Sequence, residues 1–316
     1  MGIIAVILLL LLLWFPSLSI RGASAGLLLW FQVVLPTLSP FLICTKAITA
    51  LNGFEGLLKP FYPFFHRFFG LSIPGTYILL CGMLCGYPVG ASLCADFLEK
   101  EKISQQEADH LLAICSHPSP MFLLGYVRGQ LTFPVSPVLI LCSMYLPMLP
   151  ISILARTCCQ KHKETGSFAI CSTQQTPESF SIEQIIASSA EIMVFIGGSI
   201  MLFSILSTWI DALPGLSPVI KATITGAAEM TTGIHRMAPL LPASICLPAV
   251  LATAAFGGGS GILQVHSVLQ SKRSPSSGNT KNAGGLSIRH YVLWKTLHAF
   301  LTCITAAVLQ NLLLNW

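Results

Sequence analysis

The chain has 316 residues, 53% of them hydrophobic and only 9% charged, with 17 Lys and Arg against 12 Asp and Glu for a formal net charge of +5. Its apolar residues are gathered into runs, not spread at core spacing, and a helix needs about 20 of them to cross about 30 Å of hydrocarbon. This excludes an ordinary soluble domain and makes the lipid bilayer the first expected partner, with no nucleic acid expected.

In chain order, the candidate spans are Ile3 to Ile20, Gly26 to Leu51, Ile73 to Leu98, Leu111 to Val127, Phe133 to Ala155, Ile185 to Ile210, Leu240 to Leu269 and Tyr291 to Leu314. A weaker segment, Pro218 to Met237, carries Lys221, Glu229 and Arg236. The first run is followed by the small-residue patch Gly22-Ala-Ser-Ala25, in the manner of a secretory signal. It lacks the basic n-region of such signals and reads as an uncleaved first span. Basic residues collect at Lys59 and Arg67, at Arg156, Lys161 and Lys163, and at Lys272, Arg273, Lys281 and Arg289, all expected on the cytoplasmic side.

Two polar stretches punctuate the pattern. Residues 157–181 read as a connector between a first membrane half, 1–156, and a second, 182–316; Ser181 with Gln184 forms a capping box for the helix that follows. Residues 272–285 read as a disordered loop. Eight of the cysteines lie within apolar runs and behave as small hydrophobes. Cys81 and Cys85 share a helical face, but no second Cys/His pair accompanies them, so no metal and no cofactor is expected.

Both halves contain a glycine-rich interruption, Gly86-Tyr-Pro-Val-Gly90 and Gly257-Gly-Gly-Ser-Gly261. Within hydrocarbon every backbone N–H and C=O needs a partner, so unwound chain survives only inside protein or beside a watery cavity. The breaks therefore locate a candidate site. Aligning them pairs Gly86 with Gly257 and Gly90 with Gly261, the layout of transporters built from paired repeats around a midplane site. After the first break, Ser104 and Glu107 form a capping box that starts a helix at Gln105, stopped by Ser116-His-Pro-Ser-Pro120; the hairpin occupies residues 86–127. The breaks also admit a plain packing role for their glycines.

Gly86-Tyr-Pro-Val-Gly-Ala91, the Asp96 to Glu107 segment, Pro120-Met-Phe-Leu-Leu-Gly125, Glu229-Met-Thr-Thr-Gly233 and Phe256-Gly-Gly with Ser260 and Gln264 resemble the sporulation integral membrane proteins of the YlbJ/SpoVV type, within the wider nucleoside-recognition (Gate) superfamily. The resemblance covers roughly residues 30 to 310. It implies an all-α polytopic membrane protein of two repeats, each with a broken helix or helical hairpin, similar to concentrative nucleoside transporters. It also implies movement of dipicolinic acid across the mother-cell-derived membrane around the forespore. The chain departs from the pattern at Ser116-His-Pro, where relatives tend to carry asparagines.

A flat aromatic dicarboxylate needs anion donors on both sides and an apolar slot. Half-helix N-termini, each carrying roughly half a unit of positive charge, supply donors. The candidate substrate contacts are Gly86, Tyr87, Pro88, Gly90, Ser92, His117, Ser119, Thr231, Thr232, Gly257, Gly258, Ser260 and Gln264, with Arg128 or Arg236 as candidate neutralising charges. Glu229, an ionisable group in a membrane segment, is the candidate for a coupling proton or sodium, or else structural glue with Lys221 or Arg236. The expected function is a transporter of a small organic anion, with a nucleoside or other small-solute transporter as the alternative. A non-transporting membrane partner in spore assembly is a further class, and a homo-oligomer is left open. An enzyme is not expected, since no Ser, His or Asp sits in a recognised catalytic pattern.

Overall fold

The computed structural model describes residues 2–50, 56, 58–159, 181–271 and 286–314. The connector at 160–180 and the loop at 272–285 lie outside the described residues, as do Lys161, Lys163, Lys272, Arg273 and Lys281.

Every regular element among the described residues is helical, and the chain is an all-α polytopic membrane protein. Among the described residues, five helices are long and apolar enough to cross a membrane, or six if the pair Tyr62–Phe69 and Ile73–Cys85, which bends by 91° at its break, counts as one span. Large apolar side chains cover the outside: Phe31, Val194, Leu293 and Phe300 are 64%, 66%, 63% and 62% exposed. A soluble protein rarely leaves so much contiguous apolar surface bare. Here lipid covers it.

Helix α1 is Gly2–Trp14 and α2 is Pro16–Leu29, which passes through a π-helical turn, Trp30–Val34, into α3, Leu35–Ala50. The break therefore falls at Phe15 and Pro16, where proline enters as the first helical residue, and not in the small-residue patch expected to separate two spans. That patch is helical because it is a contact face. Gly22 and Gly26 lie against α11, Ile182–Ala212, so closely that a Cβ on either would press on the backbone at Ile205 or Met201. The 31 residues of α11 extend about 46 Å at 1.5 Å per residue, and the expected capping box of Ser181 and Gln184 starts it.

Between these lies the first set of interrupted helices: α4, Tyr62–Phe69; α5, Ile73–Cys85; α6, Val89–Glu99; α7, Gln105–Ile114; and, after a break, a π-helical turn Phe122–Val127 leading into α8, Arg128–Gln130. Ser104 caps α7 as expected, its oxygen accepting from the Glu107 N–H. The Glu107 side chain does not close the box, however. Its Oε1 accepts from the Ser72 N–H at 2.7 Å and so ties the hairpin to the start of α5. Helices α9, Pro137–Tyr145, and α10, Met148–Cys159, complete this half.

The second half repeats the alternation of helix, break and helix in α12, Pro218–Ala228; α13, Met230–Met237; α14, Ala243–Phe256; and α15, Gly258–Ser271, before the long α16, Ile288–Leu314. By element order, the counterpart of the Gly86 break is thus the Glu229 break, and that of the Ser116-to-Ser119 break is Gly257. This differs from the pairing of Gly86 with Gly257 that the glycines alone suggest. The halves interlock: α2 and α3 pack on α11, while α16 packs on α7, α9 and α14.

Close packing at the hairpin leads to a testable contrast. Gly82 and Gly90 sandwich the Cys115 carbonyl, and a Cβ on either would overlap that oxygen. Gly90→Ala is expected to cost about 3 kcal/mol or more, because the obstruction is rigid backbone. Gly198→Ala, facing open space in the middle of α11, is expected to be neutral or to gain up to about 1 kcal/mol. Thermal melting of the two purified variants separates these outcomes.

Candidate functional site

Four interruptions of helix converge. Gly86 ends α5 at φ +79° and Gly257 ends α14 at φ +80°, backbone that L-residues other than glycine rarely adopt. Residues 116–119 run without helix, and Ser119 then caps the next helical stretch by accepting from the Phe122 N–H at 3.2 Å. Glu229 is extended, at φ −145° and ψ 118°, between α12 and α13. Tyrosines stitch these breaks together. The Tyr87 hydroxyl donates to the Ala255 carbonyl at 2.8 Å, one of the carbonyls left over at the end of α14. Tyr126 donates to the Thr231 carbonyl and Tyr145 to the Pro118 carbonyl, each at 2.9 Å.

At the junction is a cavity of about 40 Å³. Of the residues singled out from sequence, Gly86, Tyr87, Ser119, Glu229, Thr231, Gly257, Ser260 and Gln264 line it. Sequence reading missed its apolar walls, Val34 and Leu38 of the first long helix and Ile196 and Ile200 of α11. The Gln264 amide donates to Ser199 at 3.0 Å and to Ser260 at 3.2 Å, so its nitrogen is engaged within the wall.

The structure places the remaining candidates elsewhere. Gly90 packs on the Cys115 carbonyl, Gly258 lies against the Ala228 and Glu229 backbone, and Thr232 directs its N–H to Glu229 at 2.7 Å. Pro88 and Ser92 belong to the start of α6, where the Ser92 N–H bonds to the Pro88 carbonyl, outside the lining. A bulky residue at Gly258 would therefore disturb the contact between two breaks before it filled any solute space. The candidate charges are also committed away from the cavity. Arg236 pairs with Asp211 at 2.5 Å and bonds to the Ser207 carbonyl and the Thr225 hydroxyl; Arg128 donates to the Val135 carbonyl.

Glu229 is 2% exposed and caps α13 with its own side chain. One carboxylate oxygen accepts from the Thr231 N–H at 2.9 Å and from the Thr231 hydroxyl; the other accepts from the Thr232 N–H. The donors at this helix start are thus already occupied by an internal anion. Neither Lys221 nor Arg236 pairs with Glu229, since Lys221 reaches the Asp211 carbonyl at 2.6 Å instead.

Behind Tyr87 lies a basic cluster that sequence reading missed. Lys295 and His298 of α16 are 1% and 0% exposed. The Lys295 ammonium donates to the Ser116 carbonyl at 2.6 Å, stands 3.5 Å from His298 Nδ1 and lies 4.8 Å from the centre of the Tyr87 ring. His117, also fully buried, stacks edge-on against His298 with 4.6 Å between ring centres, and its Nδ1 has no hydrogen-bond partner among the described residues. The signal was available: Lys295 and His298 are an i, i+3 ionisable pair in an otherwise apolar span, the feature that drew attention to Glu229.

Among curated proteins, the chain is 26% identical over 235 residues to the sporulation integral membrane protein YlbJ of Bacillus subtilis (strain 168). The match takes in 68% of this chain and 57% of that protein, so the chain spans a little over half the length of the relative it matches. No family model and no solved structure matches. The resemblance to YlbJ-type sporulation membrane proteins is supported by this match, and with the apolar helices it identifies a multi-pass membrane protein similar to a sporulation protein.

Proposed function

We propose that the chain is a secondary transporter of a small organic anion, dipicolinic acid moved across the membrane around the forespore being the leading substrate. The observation that carries this reading is the meeting of four helix interruptions from both halves at one cavity within a protein otherwise built of apolar spans. Unwound backbone at membrane depth is tolerated where it lines a solute path, and discontinuous helices aim their ends at a bound solute. Similarity to a sporulation membrane protein points to the solute that spores accumulate.

As it stands the cavity, at about 40 Å³, has room for about three or four water molecules, each needing about 10–15 Å³. A ring bearing two carboxylates needs several times that volume, so transport would require the hairpins to part. A coupling proton or sodium at Glu229 would have to compete with the Thr231 and Thr232 donors for its oxygens. The glycine run at 257 is not a nucleotide loop, since no Lys-Ser/Thr follows it, and gradients or a separate partner would supply the drive.

Reconstitution tests the reading directly. Vesicles containing the purified protein are expected to take up labelled dipicolinate saturably under an imposed pH or sodium gradient, and to exchange it in counterflow. Inserted, folded protein that moves none under either gradient would remove it from the transporter class.

A further inference from the structure

Lys295 is a buried basic residue with no acidic partner among the described residues. At membrane depth a buried ammonium is costly unless an anion answers it, which is why such groups commonly face a ligand or a counter-ion. Among the described residues Lys295 has only neutral partners: a carbonyl, an imidazole nitrogen and the face of an aromatic ring. Glu229 does not answer it, because its oxygens cap α13. Nor does Asp211, which is paired with Arg236.

The position of Lys295 relative to the cavity is as telling as its isolation. Tyr87 touches both. Its ring lies against Gly257 and lines the cavity, while the Lys295 ammonium sits over the same ring. The carbonyl that holds the ammonium belongs to Ser116, two residues before Pro118, which is itself in the cavity wall. His298 donates from Nε2 to the Met144 carbonyl at 3.0 Å and so turns its Nδ1 lone pair to the lysine. His117 is likewise fixed through Nε2 on the Ile114 carbonyl at 2.5 Å. These surroundings hold the lysine amine in place, with no anion among the described residues beside it, so that a bound anion is what would favour its charged form.

The geometry points to Lys295, held by Ser116 and His298 behind Tyr87, as the positioned positive charge that makes the cavity select carboxylate anions over neutral solutes of the same shape. This rests on the reading of the cavity as the solute site, and it separates the anion class from the nucleoside alternative. The ammonium acts through the aromatic ring and does not touch the solute. An anion stacked on Tyr87 would lie on the order of 8 Å from it, the 4.8 Å to the ring centre plus about 3.5 Å of van der Waals contact. At that separation and an effective dielectric of about 20, the attraction corresponds to about a thirty-fold change in affinity per unit charge.

The test uses the full chain in phosphatidylcholine nanodiscs and two matched pairs of probes: pyridine-2,6-dicarboxylate with its neutral diamide, and benzoate with benzamide. Wild-type protein is expected to bind each carboxylate more tightly than its amide. Lys295→Gln, which can still donate to the Ser116 carbonyl, is expected to weaken dicarboxylate binding about thirty-fold or more while the diamide stays within about twofold. Lys295→Met should do the same, and Lys295→Arg should keep most of the preference. An equal fall for acid and amide would mean that Lys295 merely supports the fold, and an unchanged ratio would mean that its charge is not felt in the cavity. Either result overturns the proposal. So does a wild-type protein that prefers neither carboxylate, an outcome that can be measured even if the neutral variants fail to fold. If benzoate binding depends on Lys295 but dipicolinate does not bind, the anion site stands and the dipicolinate reading falls.

Discussion

Spores from a strain lacking this protein are expected to contain almost no dipicolinate, while the mother cell makes it at the normal rate and retains or releases it. The size of the effect follows from the physics of the barrier. A dianion does not cross some 30 Å of hydrocarbon unaided, because stripping even one charge of its water costs many kcal/mol, so without a route the accumulation collapses instead of slowing. The measurement is dipicolinate in separated mother-cell and spore fractions. Low synthesis in the whole culture would place the protein upstream of the solute, in regulation or assembly, and would count against transport. A Lys295→Gln strain should sit between wild type and deletion, since it keeps the path and loses only the charge behind Tyr87.

Removing the Glu229 side chain is expected to produce a large loss of stability. Glu229→Ala leaves two backbone N–H groups and the Thr231 hydroxyl without their acceptor at a site that is 2% exposed. At about 1–3 kcal/mol for each buried group left unsatisfied, the expected cost is about 3 kcal/mol at minimum. Glu229→Gln keeps one accepting oxygen but turns an NH₂ toward one of the remaining donors, so it should fall between Ala and wild type. It is not a silent removal of charge, because both carboxylate oxygens accept hydrogen bonds. Thermal melts of the three proteins in one detergent give the order directly. A Glu229→Gln protein that melts with wild type would contradict the capping role and leave ion coupling as the reason for a buried carboxylate here.

The chain itself made the membrane class, the helix content and three of the four breaks legible, because each rests on local chemistry; the interruption at Glu229, inside a segment that read as continuous, was not. Apolar runs near 20 residues demand lipid, prolines and paired glycines end helices wherever they fall, and Ser104 and Ser181 cap within three residues of themselves. The Glu229 to Gly233 stretch was visible on the same grounds, as an ionisable residue in an apolar segment. What each residue does once the breaks meet was not legible. Gly90 and Gly258 read as backbone donors, yet they serve close packing, because the Cys115 carbonyl and the Ala228 backbone come up against them from distant segments.

Charge was the least legible feature. Arg128 and Arg236 looked available to an anion and were committed to Val135 and Asp211, while Lys295 met its carbonyl 179 positions back along the chain. The sequence thus determined that the chain is helical and where proline, paired glycines and caps stop a helix, since those are properties of a few adjacent residues. Only the tertiary structure decided which stops share a cavity, which donors are already occupied and which basic residue stands beside it, because burial and hydrogen-bond satisfaction depend on partners brought together across the whole fold.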